Sequence, residues 1–157
     1  MILTASNGSL SNTVTKQGYI TVSQPSASPS GLVAAYSFNE GNGTTVNDTS
    51  GKGNRGTIYG AQWTDSGRYS RALVFDGVNT WVTVNDAPSL DLTTGMTLEA
   101  WVYPTALNGG STNGWRTVIL KQQSSQLVYA LYANSNINRP GGYVYTGSDL
   151  GVFGNAQ

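Results

Sequence analysis

Short apolar runs separated by turn residues predict a chain built from many short β-strands. Within such runs apolar and polar residues alternate, which places successive side chains on opposite faces of a sheet. Residues 80–84 show this pattern, with Val82 and Val84 expected inward and Trp81 and Thr83 expected outward. Turn signals recur roughly every 8–12 residues, a spacing typical of sandwiches and barrels. The predicted strands are residues 2–5, 13–16, 19–22, 32–38, 56–59, 72–75, 80–84, 96–103, 117–121, 127–133 and 142–145.

Three segments carry more specific expectations. Residues 72–75 form an unbroken apolar run, which indicates a strand covered on both faces. Residues 96–103 form the longest predicted strand, which ends at Pro104. Residues 115–139 lack glycine and proline, and their apolar positions would also line one face of a helix. We prefer two strands joined near residues 124–125, because valine, isoleucine and tyrosine dominate and the flanks lack a capping pattern.

A proline- and serine-rich stretch divides the chain. Residues 23–30 contain two prolines and small polar residues, and they read as a semi-extended linker. We expect residues 1–22 to be the final strands of one domain and residues 31–157 to be most of a second. The first residues show no basic start and no apolar stretch of a signal peptide, so a secreted protein would carry its signal upstream of this fragment.

Composition removes several classes of function. The sequence contains eight basic and eight acidic residues, and this balance argues against nucleic-acid partners and anionic membrane surfaces. Histidine and cysteine are absent, which excludes His-based triads, Cys nucleophiles, disulfides and zinc sites built on these ligands. No apolar run approaches the roughly 20 residues that span a bilayer, so we expect no membrane insertion.

Four ordered motifs carry a family resemblance. They are residues 31–46 (GLVAAYSFNEGNGTTV), 48–57 (DTSGKGNRGT), 73–84 (LVFDGVNTWVTV) and 96–104 (MTLEAWVYP). Their order and spacing resemble bacterial laminin-G-like domains, which are concanavalin-A-like jelly rolls. The resemblance covers about residues 31–157, and it implies an all-β, antiparallel jelly-roll or β-sandwich domain.

The resemblance also implies an incomplete domain, because the later strands of the family do not appear before Gln157. Residues 2–22 resemble, over a shorter length, the last strands of a PKD-type Ig-like repeat. Together these features imply a slice of a long modular protein located outside the cell or on its surface. The sequence supports no statement about oligomeric state.

Catalytic chemistry has little support in the sequence. A glycosidase needs two carboxyl groups set across the scissile bond, and the two glutamates, Glu40 and Glu99, show no paired spacing. The glycine-rich segment 51–56 departs from a phosphate-binding loop, because Val46 stands where that motif requires glycine and Gly53 where it requires serine or threonine. We therefore expect a surface turn at 51–56 and a protein that is not an enzyme.

A structural calcium ion is the cofactor that the sequence suggests. Carboxylate and amide oxygens in flexible loops suit this hard cation, and the resemblance adds weight because such jelly rolls often hold calcium near these loops. The alternative is that the two aspartates form Asx turns with their own main chain. The candidate ligands are Asn39, Glu40, Asp48, Asn54 and Asp76.

Tryptophans beside loops are the candidate ligand-binding residues. Trp81 follows a turn and Trp115 follows the glycine-rich loop 108–114, whereas Trp101 lies in the middle of a predicted strand. Large aromatic rings at loop edges can stack against sugar rings, and packing within the fold is the alternative for each. We expect a non-catalytic carbohydrate-binding or adhesive module whose partner is a glycan or a surface protein. The alternatives are a structural or protein–protein spacer, or an accessory domain of a secreted glycoside hydrolase.

Overall fold

The structure, a computed structural model, describes residues 2–6, 11–15, 31–106, 114–137 and 139–155, the first two ranges as main chain only. These residues form strands, turns and one short 3-10 helix, and every strand pairing is antiparallel. The predicted all-β antiparallel class is thereby confirmed. Within the described ranges no helix is long and apolar enough to cross a membrane. The predicted strand 19–22 and the linker 23–30 lie outside the described residues.

The chain divides into an N-terminal unit, Met1–Asp91, and a C-terminal unit, Leu92–Gln157. The strands of the N-terminal unit are β1 (Ile2–Ser6), β2 (Ser11–Thr15), β3 (Thr45–Val46), β4 (Gly56–Tyr59), β5 (Gln62–Thr64), β6 (Ala72–Val74) and β7 (Trp81–Val84), followed by the 3-10 helix Pro88–Leu90. Those of the C-terminal unit are β8 (Arg116–Gln123), β9 (Gln126–Asn134), β10 (Gly141–Tyr145) and β11 (Asp149–Phe153).

Three small sheets build the N-terminal unit: the pairs β1–β2 and β5–β6, and a three-stranded sheet in the order β3–β4–β7. Val46 and Ile58 point from the three-stranded sheet into the core and are buried with Ala61. Gly56 allows this packing, because a Cβ at that position would lie 2.7 Å from methyl carbons of both Val46 and Val82. The sequence thus places its smallest residue where the side chains of the two flanking strands close over β4.

The predicted strand 32–38 is wrong, because in the structure this segment belongs to no sheet. Its main-chain groups bond instead to the loop that follows. The Ala35 carbonyl accepts from Thr49 N (2.8 Å), and the Val33 carbonyl accepts from Asn54 Nδ2 (2.7 Å) and Ser50 Oγ (3.1 Å). Side chains and the Thr49 main-chain nitrogen of the loop therefore satisfy these main-chain groups where a neighbouring strand was expected.

Two further strand predictions need correction. Residues 96–103, predicted as the longest strand, form no sheet, and Trp101 and Tyr103 are 64% and 93% exposed. Alternation alone does not make a strand, because strand formation depends on a partner that accepts its hydrogen bonds. Residues 72–74 of the run 72–75 do form β6, but Val74 and the following Phe75 are 53% and 47% exposed, so coverage on both faces is wrong.

A four-stranded sheet in the order β11–β10–β9–β8 forms the C-terminal unit. The preference for two strands over a helix across 115–139 is confirmed, with the turn at Ser124 and Ser125. Ser124 adopts a φ of +55° at this turn. β9 is the inner strand with the most complete burial, and Tyr129, Ala130 and Tyr132 are all less than a tenth exposed. The sequence analysis missed the short strands β3 and β5 and the last strand, β11.

Candidate functional site

The outer face of the β3–β4–β7 sheet carries an aromatic pair beside a row of hydroxyl groups. Inward and outward positions alternate along β4 and β7, as the sequence predicted for residues 80–84. Register then places Tyr59 opposite Trp81 and Thr57 opposite Thr83 on the outer face. Thr45 of β3 pairs with Thr57 and extends the hydroxyl row. Neighbouring strands thus bring together residues that lie far apart in the sequence.

Trp81 stacks against its cross-strand neighbour, Tyr59. Its indole and the Tyr59 ring lie 5.3 Å apart between centroids at an interplanar angle of 24°. Trp81 is 50% exposed and Tyr59 is 46% exposed. Because Tyr59 covers one side of the indole, the exposed area of Trp81 lies on its remaining face and edges. A ring held in this way loses little conformational freedom when a ligand stacks on it.

The chemistry of this face is apolar stacking plus neutral hydrogen bonding. An indole face attracts C–H groups that carry partial positive charge. Threonine hydroxyls both donate and accept hydrogen bonds, and the outward positions paired across β4 and β7 carry no charged side chain. The arrangement suits a neutral ligand that combines C–H faces with hydroxyl groups.

Trp115, the second candidate, has a larger structural role. Its ring centroid lies 4.5 Å from that of the buried Tyr132, and it is 37% exposed. The ring of Phe153 on β11 lies 6.4 Å away. Trp115 therefore packs on the sheet of the C-terminal unit with one side and faces solvent with the rest, so packing and ligand contact remain compatible roles.

Phe153 completes this second aromatic surface. Its ring lies across two glycines: a Cβ at Gly141 would come within 2.9 Å of the ring, and one at Gly151 within 3.1 Å. The ring nevertheless remains 41% exposed. Glycines on adjacent strands thus allow the phenylalanine to lie flat on the sheet with its other face outward.

Asp48, a predicted calcium ligand, is the hydrogen-bonding centre of its loop. Oδ1 accepts from the main-chain nitrogens of Ala35 (3.0 Å) and Ser50 (2.8 Å). Oδ2 accepts from Ser50 Oγ (2.7 Å) and from the main-chain nitrogen of Asn54 (2.9 Å). A carboxylate has about four lone-pair sites, and these four donors use them. The glycine-rich turn thus wraps its amide groups around the chain's own carboxylate.

These bonds change the acidity of Asp48. Burial raises the pKa of Asp48, but the hydrogen bonds from Ser50, Ala35 and Asn54 outweigh it and leave the pKa below its ordinary value of 3.8. The carboxylate form is therefore the one that the folded loop stabilises.

The other predicted calcium ligands are only partly drawn together. Glu40 Oε1 accepts from the main-chain nitrogen of Asn47 (2.7 Å), while its buried Oε2 has no hydrogen-bond partner among the described residues. The Asn54 side chain bonds to the Val33 carbonyl and to Ser89 Oγ. The Asn39 carbonyl accepts from Arg71 Nη1 (3.3 Å).

Asp76 forms a separate Asx turn. Its Oδ1 accepts from the main-chain nitrogens of Val78 and Asn79 and from Thr80 Oγ1. The same bonds lower the pKa of Asp76 from 3.8. Across the described residues, no three acidic, histidine or cysteine side chains are placed to share an ion. Internal donors occupy the Asp48 carboxylate in this arrangement, and calcium binding stays a prediction.

Comparison of the chain with protein-family models, with curated proteins and with solved structures finds no match. The laminin-G-like and PKD-type resemblances therefore rest on the sequence motifs alone.

Sequence reasoning missed two residues of these aromatic surfaces. Tyr59 lies in a predicted strand, but its pairing with Trp81 depends on the register between β4 and β7. Phe153 lies in β11. The one sequence signal that could have indicated a ring lying flat on the sheet is the pair of glycines, Gly151 and Gly154, that flank residues 152–153.

Proposed function

We propose that the chain is a non-catalytic carbohydrate-binding module whose sugar ligand stacks on Trp81. In this proposal residues 31–157 belong to a laminin-G-like jelly roll and residues 1–22 to a PKD-type repeat. Both would form part of a modular secreted or cell-surface protein. The four sequence motifs and the antiparallel all-β structure support this assignment.

The observation that carries the proposal is the half-exposed Trp81 supported by Tyr59. An isolated exposed tryptophan would rotate among several conformers, and stacking a ligand on it would first require it to be ordered. Here the second ring already restricts the indole. The exposed Thr57 and Thr83 lie two pairs further along the same strands, on the same face, and would meet sugar hydroxyls.

The test begins with the full chain on an array of plant, microbial and host glycans. The strongest ligand is then titrated calorimetrically against the wild type and Trp81→Ala. Loss of a central aromatic contact costs about 2 kcal/mol, so we expect roughly 30-fold weaker binding. Tyr59→Ala should weaken binding less, because it frees the indole without removing it.

Tyr69→Ala is the matched control. Tyr69 belongs to the same unit and is 76% exposed, and its ring lies beside Arg68 rather than on the β4–β7 face. Its replacement should leave the dissociation constant unchanged. A blank array, or equal binding by Trp81→Ala and the wild type, would contradict the proposal.

A second candidate function is a protein–protein contact or spacer. It is favoured by the exposed apolar side chains of residues 101–103, which offer no comparable set of hydroxyl groups. A spacer would bind no glycan at all. An accessory role beside a glycoside hydrolase is a third possibility, and the sequence that flanks this chain in its parent protein would distinguish it.

A further inference from the structure

The turn at residues 42–44 presents an asparagine–glycine pair in an open setting. Asn42 is exposed and hydrogen-bonds to none of the described residues, and neither does the Gly43 nitrogen. Gly43 has a φ of +79°, and no heavy atom lies within 4 Å of the position that a Cβ would occupy. Among the described residues, no hydrogen bond therefore holds the Asn42 amide or the Gly43 nitrogen, and the Cβ position of Gly43 is open.

We propose that Asn42 is a site of spontaneous deamidation that alters the turn irreversibly. The deprotonated main-chain nitrogen of Gly43 attacks Asn42 Cγ. A new N–Cγ bond forms, the Cγ–Nδ2 bond breaks, and Nδ2 leaves as ammonia after taking up a proton. Water then opens the cyclic imide at either carbonyl, giving aspartate or isoaspartate. Glycine favours ring closure because it has no Cβ to obstruct the attack.

The structure indicates why the isoaspartate product matters. The Gly43 carbonyl accepts a hydrogen bond from Trp63 Nε1 at 2.9 Å, and the Thr44 carbonyl accepts one from Ile58 N at 2.8 Å. Isoaspartate inserts one additional methylene into the main chain directly before these two acceptors. The added length must be taken up between these acceptors and the preceding anchor, the Asn39 carbonyl that accepts from Arg71 Nη1 at 3.3 Å, whereas ordinary aspartate at residue 42 leaves the main chain unchanged.

The chain provides its own reference sites. Asparagine–glycine pairs also occur at residues 7–8, 108–109 and 113–114. The purified full chain would be incubated for days at mildly alkaline pH, in native buffer and in urea, and peptides would be mapped by mass spectrometry. We expect the Asn42 peptide to convert in native buffer within about tenfold of its rate in urea, since the fold leaves the site open.

Asn42→Gln is the matched variant, because glutamine keeps the amide but would have to close a larger ring. It should fold normally and show no conversion in this peptide. Conversion in urea combined with protection in native buffer would overturn the proposal. Absence of conversion in both conditions would overturn it as well.

A second measurement separates the two products. The isoaspartate form, isolated by chromatography, should unfold at a lower urea concentration than the wild type, and Asn42→Asp should match the wild type. Equal unfolding midpoints for all three proteins would refute the structural consequence. Neither measurement depends on glycan binding, so this proposal and the proposed function can fail independently.

Discussion

Removal of the Asp48 carboxylate is the perturbation that most directly tests the loop of the N-terminal unit. Asp48→Ala leaves three main-chain nitrogens, those of Ala35, Ser50 and Asn54, without their acceptor. The Ser50 hydroxyl also loses this acceptor but keeps the Val33 carbonyl. Ser50 is 2% exposed and Asn54 is 5% exposed, so water reaches their donors poorly. The variant should therefore destabilise the segment 33–54 far more than a surface substitution would.

The burial of these donors sets the expected magnitude. A buried donor left without a partner costs about 1–3 kcal/mol, and relaxation of the loop recovers part of that cost. We expect Asp48→Ala to lower the free energy of unfolding by about 3–5 kcal/mol, which is a large part of the 5–15 kcal/mol of a typical domain. Asp48→Asn should cost less, because its remaining oxygen still accepts on one side.

Urea denaturation followed by near-ultraviolet circular dichroism would measure the effect, and hydrogen exchange of residues 33–58 would localise it. Asp65→Ala is the control, since Asp65 is 88% exposed and makes an ion pair with a half-exposed Arg71. An exposed pair contributes at most about 1 kcal/mol. If Asp48→Ala and Asp65→Ala unfolded with the same free energy, the role assigned to the Asp48 loop would be refuted.

Acid should reproduce part of the Asp48→Ala effect. The pKa of Asp48 is lower in the folded protein than its ordinary value of 3.8, so the unfolded chain binds the proton more readily. The contribution is therefore present above about pH 4 and disappears as the pH falls through the folded pKa. The free energy of unfolding should fall more steeply with acid in the wild type than in Asp48→Ala, and parallel curves would contradict this.

Two further predictions concern close packing and a tyrosine. Gly56→Ala should lower the free energy of unfolding by about 1–3 kcal/mol in urea denaturation, because the new Cβ would meet Val46 and Val82. An unchanged urea midpoint would contradict this and show that β3 and β7 can move apart at no cost. The hydrogen bond to Asp149, with burial and the Asp149 charge, raises the pKa of Tyr143 to about 12. Its contribution to stability is lost as the pH rises from the ordinary value of 10.0 towards 12, and an ultraviolet titration should show that one tyrosine ionises at lower pH in Asp149→Ala than in the wild type.

The strand predictions succeeded where a local pattern was enough. Residues 80–84 alternate because one face of β7 is buried, and the sequence carries that information directly. The same alternation at residues 96–103 led to the prediction of a strand, but in the structure these residues form no sheet. At residues 32–38 the main-chain carbonyls accept hydrogen bonds from the side chains of Ser50, Thr49 and Asn54. The residue pattern within the segment could not predict these bonds, because the donors lie 14 or more residues away in the sequence.

By itself, the sequence determined the all-β class, because strand periodicity is a local property, and its composition shows which side chains, histidine and cysteine, are absent. It also proposed Trp81 and Asp48 as residues of interest. The tertiary structure decided what each one does. Strand register placed Tyr59 against Trp81, and chain reversal brought the Ala35 nitrogen to a carboxylate 13 residues away. Those relationships depend on which segments pair in space, which residue order alone does not specify.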